Sequence, residues 1–130
     1  MNYYILGVSF LWGLGSYIGY LNHQKIKTYM VNKIGQPIID GAGYLGGAMQ
    51  LGAVVAVSRG WLTNTSATYH TISLLGSTGL LATAFYHEAY APVLVNLIWM
   101  GMNMVGILEN IDLLSANVNT FKQINPAMAS

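Results

Sequence analysis

Charge is nearly absent from this chain, and its placement constrains the fold more than any motif does. Five Lys and Arg and four Asp and Glu stand among 130 residues, 7% charged against 54% hydrophobic. Soluble domains carry about 25% charged side chains. The few charges also cluster, so that no ionic side chain occurs at 1–24, 41–58, 60–87 or 89–108. Nine ionic groups cannot solvate the surface of an ordinary soluble globule. A nucleic-acid footprint needs a dense basic patch, which a net charge of +1 does not provide. The apolar content excludes disorder. The class that remains is an all-α, polytopic membrane protein, because helices satisfy their own backbone groups in a bilayer.

A crossing helix needs roughly 20 mostly apolar residues. Four stretches come close: Tyr3 to Leu21, Gly41 to Ser58, Thr68 to Tyr86 and Pro92 to Leu108. These define a single membrane domain over 1–130 with a four-helix transmembrane bundle. The alternative is three spans, with residues 1–40 as a separate anchor or surface segment. The N-terminus lacks the Lys/Arg run and cleavage site of a secretory signal, so the first stretch is expected to be retained. Between the first two stretches, Ile26, Tyr29, Met30 and Ile34 recur at helical spacing beside Lys25, Lys27 and Lys33. That pattern fits a short helix in the headgroup plane, or a polar loop with some apolar residues. Gly35, Pro37 and Gly41 are expected to break any helix before the second span. By the positive-inside rule the three lysines put loop 22–40 in the cytoplasm. After the fourth span, Ile107, Ile111, Leu114, Val118 and Phe121 form one apolar stripe, which predicts an amphipathic helix over about 109–123, ended by Asn125-Pro126-Ala127.

Helices in lipid associate by close packing and interhelical hydrogen bonds, since acyl chains are as apolar as Leu. The candidate packing residues are therefore small: Gly15 and Gly19 on the first span; Gly43, Gly47, Ala48, Gly52 and Ala56 on the second, the last three continuing at four-residue steps to Gly60; and Gly76 and Gly79 on the third, beside Ser73 and Ser77. These faces close the bundle, pair protomers, or do both. Polar groups inside hydrocarbon are costly and mark either helix bridges or a solute path. Here they are Gln50, Ser73, Asn96 and Asn103, the two asparagines one heptad apart. His70 falls near a boundary and reads as an interfacial residue. A haem would need a symmetric dimer presenting His70 twice, because His70 and His87 lie at opposite ends of one span. No catalytic constellation, metal-ligand cluster or phosphate-cradling loop is visible, and there is no cysteine. No enzyme activity and no cofactor or metal are expected.

Gly43-Tyr44-Leu45-Gly46 opens one span, Tyr69 the next with Gly76 seven residues on, and Pro92, Asn96 and Trp99 form Pro-x-x-x-Asn-x-x-Trp. Over about 41–108 this resembles the uncharacterised three-span bacterial membrane domain called the CBU-like domain. Where that family often has Asn four residues after the Tyr, this chain has Ser73. The resemblance implies a three-helix unit, with an added N-terminal span and a C-terminal extension, in a bacterial inner membrane, and it brings no activity. A more distant likeness, through Pro92 and Asn96, is to semi-SWEET and PQ-loop half-transporters; their Pro-Gln pair is reversed here, as Gln36-Pro37.

The expected function is that of a small integral membrane interaction or accessory protein. Its partners would be the lipid bilayer and either copies of itself or a larger membrane complex, with no nucleic acid. The alternative is an oligomeric small-solute transporter or channel with a path lined by Gln50, Asn96 and Asn103.

Overall fold

The computed structural model describes residues 3–124. The chain forms five helices: α1 (Tyr3–Leu21), α2 (His23–Lys33), α3 (Gln36–Ser58), α4 (Ala67–Tyr86) and α5 (Tyr90–Ile124), with no strand among the described residues. Three of them, α1, α3 and α5, are long and apolar enough to cross a membrane, which points to a membrane protein.

Helix boundaries follow local chemistry. Gly35, at φ 86, makes the break between α2 and α3. Pro37 lies in the first turn of α3, where its missing N–H costs nothing. The second long helix therefore begins at Gln36, five residues before the sequence-based start, and Gly41 lies inside it. At its far end Gly60, at φ 73, takes the left-handed position after the last turn, and Trp61 N–H closes back on the Ala56 carbonyl at 2.8 Å. Gly60 is thus a helix cap and not a continuation of the small stripe. Ser66 caps α4 by accepting from Tyr69 N–H at 3.2 Å. The α4–α5 turn has the same closing geometry, but with Glu88 at φ 57 where glycine is usual.

The helices α3, α4 and α5 form one packed unit, with α4 in the middle. The buried residues of α3 are Ile39, Gly43, Gly46 and Ala53; those of α4 are Ser73, Gly76, Ser77 and Ala84. The α3 set steps by four, three and seven, and in the α4 set Gly76 and Ser77 lie three and four residues after Ser73 with Ala84 seven further on, the seam spacing of two helices packed lengthwise. Helix α1 touches the unit only along α5, and α2 bridges the ends of α3 and α4. The amphipathic tail does not form a separate helix. It continues α5, whose 35 residues reach roughly 52 Å at 1.5 Å per residue, well past ~30 Å of hydrocarbon. Asn110 ties that overshoot to the α3–α4 loop by donating to the Thr65 carbonyl at 2.8 Å. The expected stop at Asn125-Pro126-Ala127 lies outside the described residues.

Candidate functional site

The α3–α4 seam is a contact of bare backbones. A Cβ on Gly46 would collide with the Gly76 carbonyl oxygen, and one on Gly79 with the Ala42 carbonyl. A Cβ on Gly76 would come within 2.8 Å of the Gly46 carbonyl and 2.9 Å of Gln50 Cγ. Gly43 makes room for Thr83, whose hydroxyl donates to the Ile39 carbonyl at 2.6 Å. Gly47 sits at ordinary contact distance, 3.8 Å, from Leu80. Glycine is required at the first three of these positions because nothing else lets two backbones approach so closely.

That closeness brings a row of polar side chains together. Gln50 Nε2 donates to Ser77 Oγ at 2.5 Å, and Ser77 Oγ donates to the Ser73 carbonyl at 2.8 Å. From α5, Trp99 Nε1 donates to Ser73 Oγ at 3.2 Å. One turn further, Asn103 is 3% exposed and spends its amide N–H on the Trp99 carbonyl at 2.8 Å. Its Oδ1 is therefore the acceptor, and His70 Nδ1 carries the proton of their 3.0 Å bond. The result is a polar ladder through α3, α4 and α5, with no buried side-chain nitrogen or oxygen left without a partner among the described residues. Chemically the ladder fixes helix register: a slip of one residue on any helix would strand several donors in a low-dielectric interior.

The imidazole of His70 lies flat against Gly106, where any Cβ would strike the ring. His70 also lines a groove of about 520 Å³ between α1 and α5, shared with Ser9, Trp12 and Glu109. Trp12 is the point of attachment for α1: Nε1 donates to the Leu97 carbonyl at 3.0 Å, and the ring covers Gly101, where a Cβ would come within 3.3 Å.

Of the other candidate packing residues, Gly15, Gly19 and Gly52 have nothing within 4 Å of a Cβ position; Ala48 is exposed and Ala56 half-buried. Ala48 and Gly52 lie on the side of α3 away from the seam, with the half-buried Ala56 at its margin. Asn96, half-buried, turns back to donate to the Pro92 carbonyl of its own helix at 2.9 Å, so it is not brought together with Gln50 and Asn103. Sequence reasoning left out Gly46 and Gly106 as packing residues and the Trp12–Gly101 contact. Reading alternate steps of three and four along 39, 43, 46, 50 and 53 would have found Gly46; the other two depend on partners distant in sequence. Among the described residues no three His, Asp or Glu side chains converge as a metal site would require.

At the α2 end the polar contacts are ionic and exposed. Lys27 Nζ lies 2.5 Å from Glu88 Oε1 and 5.8 Å from the centre of the Tyr86 ring, while His87 Nε2 lies 2.7 Å from Asp40 Oδ1. The Lys27 hydrogen bond and charge hold the Glu88 carboxyl below its usual range.

A family model matches residues 39–112, from Ile39, the first buried residue of the α3 seam, through α4 to Asp112 of α5. No curated protein and no solved structure matches the chain. The matched segment holds the glycine seam and every rung of the polar ladder but leaves out α1 and α2. The chain thus belongs to an uncharacterised family, and the matched segment lies within the three-helix unit.

Proposed function

We propose that this is an integral membrane packing protein of the bacterial inner membrane, without catalytic activity, which joins copies of itself or a larger membrane assembly through the outer face of α3. The observation that carries this reading is the second small-residue face of that helix. The inner face, with Gly43 and Gly46, is consumed by α4. The outer face, with Ala48, Gly52 and Ala56, meets no neighbour at Gly52. A glycine facing lipid within a helix costs roughly 0.5–1 kcal/mol of propensity and returns nothing unless another backbone docks there. The interior polar side chains are spent on one another, which favours a structural role over chemistry.

In this reading all four long helices cross the membrane. Helix α4 runs antiparallel between α3 and α5 with a connection at each end, and its 20 residues reach about 30 Å. Wherever its neighbours cross, α4 crosses with them. Its hydroxyls and His70 lower its hydropathy, and of these Ser73, Ser77 and His70 serve the ladder. The lysines of α2 put that end in the cytoplasm.

The test is the particle mass in detergent or nanodiscs. The expected result is an oligomer or a co-purified complex that Gly52→Leu dissociates without loss of helical content. A strict monomer with no co-purifying partner, unaffected by Gly52→Leu, would overturn the reading.

A further inference from the structure

The polar ladder leaves one imidazole nitrogen over. Asn103 Oδ1 accepts the His70 Nδ1 proton at 3.0 Å, so in the neutral ring Nε2 carries a lone pair and no hydrogen. Nε2 has no hydrogen-bond partner among the described residues. Every buried side-chain nitrogen or oxygen among them has one, so Nε2 is reachable from the surface. It is the ring atom closest to where a Gly106 Cβ would stand, and both residues line the groove of about 520 Å³ between α1 and α5. An acceptor held in one tautomer therefore opens on that groove.

Helix geometry adds a second acceptor. The imidazole fills the space of a side chain at position 106, and Glu109 follows three residues later on the same face of α5, where Cβ positions lie about 5–6 Å apart. Glu109 also lines the groove, while no Lys or Arg does. The two acceptors are not within ion-pair distance of each other, and Glu109 has no ion pair or hydrogen bond elsewhere among the described residues. Glu109 is the first ionic side chain after the charge-free run 89–108, which sets it at the membrane boundary; Trp12, Met102 and Val105 supply the apolar lining. Two acceptors and an uncompensated negative charge repel anions and suit a cation that donates. Hard inorganic cations take oxygen ligands, and a transition metal lacks a third convergent side chain here. A protonated amine brings both the charge and the N–H groups. We infer that the groove between α1 and α5 binds a protonated primary amine carried on an apolar body, its N–H groups shared between His70 Nε2 and the Glu109 carboxylate and its body against Trp12 and Val105.

The imidazole nitrogens are the reporter. Protein isotopically labelled at its histidine nitrogens is placed in phosphatidylcholine nanodiscs at about pH 8, where an ordinary imidazole is neutral and an alkylamine charged. Nuclear magnetic resonance signals of His70 are assigned by difference from His70→Gln. Octylamine should shift the unprotonated Nε2 signal saturably. Octyltrimethylammonium, with charge but no N–H, and octanol, with a donor but no charge, should shift it far less. Glu109→Gln, which has no partner to lose in the fold, should weaken octylamine binding roughly fivefold, as loss of a partly exposed charge pair would. Phosphatidylethanolamine in the nanodisc separates the two sources of such an ammonium. The same shift without added amine assigns it to a lipid headgroup, and a shift with octylamine alone assigns it to a soluble amphiphile. A proton on Nε2 in place of Nδ1, an equal response to the three octyl compounds, or octylamine binding indifferent to Glu109→Gln would overturn the inference. Gly52→Leu should leave the response unchanged, so this inference and the proposed packing role can fail separately.

Discussion

The α3–α4 seam and the α1–α5 contact use glycine for opposite ends. Along α3–α4, Gly46, Gly76 and Gly79 remove side chains so that backbone meets backbone over much of both helices. Along α1–α5, Gly101 removes one side chain so that a single indole can reach a single carbonyl, while Gly15 and Gly19 meet nothing. Cohesion in a medium without a hydrophobic drive scales with such close contact. One boundary is therefore a continuous seam and the other a pin. The family match, from 39 to 112, covers the seam and leaves out the helix that is pinned.

The largest effect should come from forcing the seam apart. Gly46→Leu sets a side chain into the Gly76 carbonyl and the Leu80 amide, both backbone and unable to yield. Overpacking of this kind costs about 1–3 kcal/mol even in adaptable cores, and more where backbone is struck. Gly46→Leu should not fold in detergent, by circular dichroism and thermal melting, whereas Gly52→Leu should keep the wild-type monomer fold. Equal tolerance of the two would remove the distinction between the faces of α3.

Next comes the ladder. Asn103→Leu takes the acceptor away from the half-buried His70 Nδ1, at a cost of about 1 kcal/mol. Asn96→Leu loses only a bond to its own helix and should change the melting temperature little. The alternative of an amide-lined path makes the reverse claim: liposome flux that falls on Asn96→Leu with folding intact. Measuring both quantities on both variants separates a structural ladder from a conduit.

These two pairs also show what the sequence could and could not disclose. Lipid dictates composition, so charge-free runs revealed the long helices, and Gln50 and Ser73 stood out as polar groups within them. The face of α3 was harder. Steps of four pick out Ala48, Gly52 and Ala56, yet α4 packs on 39, 43, 46 and 53, because a long two-helix seam follows alternate steps of three and four. The helix carries small residues on both sides, and nothing local says which side meets its own chain. His70 looked interfacial for a similar reason: its acceptor, Asn103, and its seat, Gly106, lie on another helix. Pro37 was read as a breaker although a proline in the first turn starts a helix equally well, which moved the beginning of α3 to Gln36.

A smaller effect is expected at the pin. Trp12→Phe keeps the aromatic body over Gly101 but loses the donor to Leu97, about 1 kcal/mol. Amide exchange should accelerate in α1 and remain unchanged in α3–α5. Acceleration spread over all four long helices would show that α1 belongs to the same cooperative unit.

The smallest effect concerns the mooring of α2, and its sign follows from Glu88. The carboxyl is held below its ordinary value of 4.5, first by the hydrogen bond from Lys27 and then by the lysine's charge, so it remains ionised when α2 is docked at pH values where a free carboxyl would protonate. The stabilisation is complete above the undocked value and declines as pH falls through the docked one. Both side chains are partly exposed, 29% and 45%, so water and salt weaken the pair. Acidification below about pH 4 should therefore raise amide exchange in α2 relative to α3–α5, high salt should blunt the change, and Lys27→Gln should remove it. Glu88→Gly forfeits the ion pair but relieves the left-handed backbone at this turn. That variant should leave the α4–α5 turn as stable as before while freeing α2 at neutral pH, dividing the two roles that Glu88 combines.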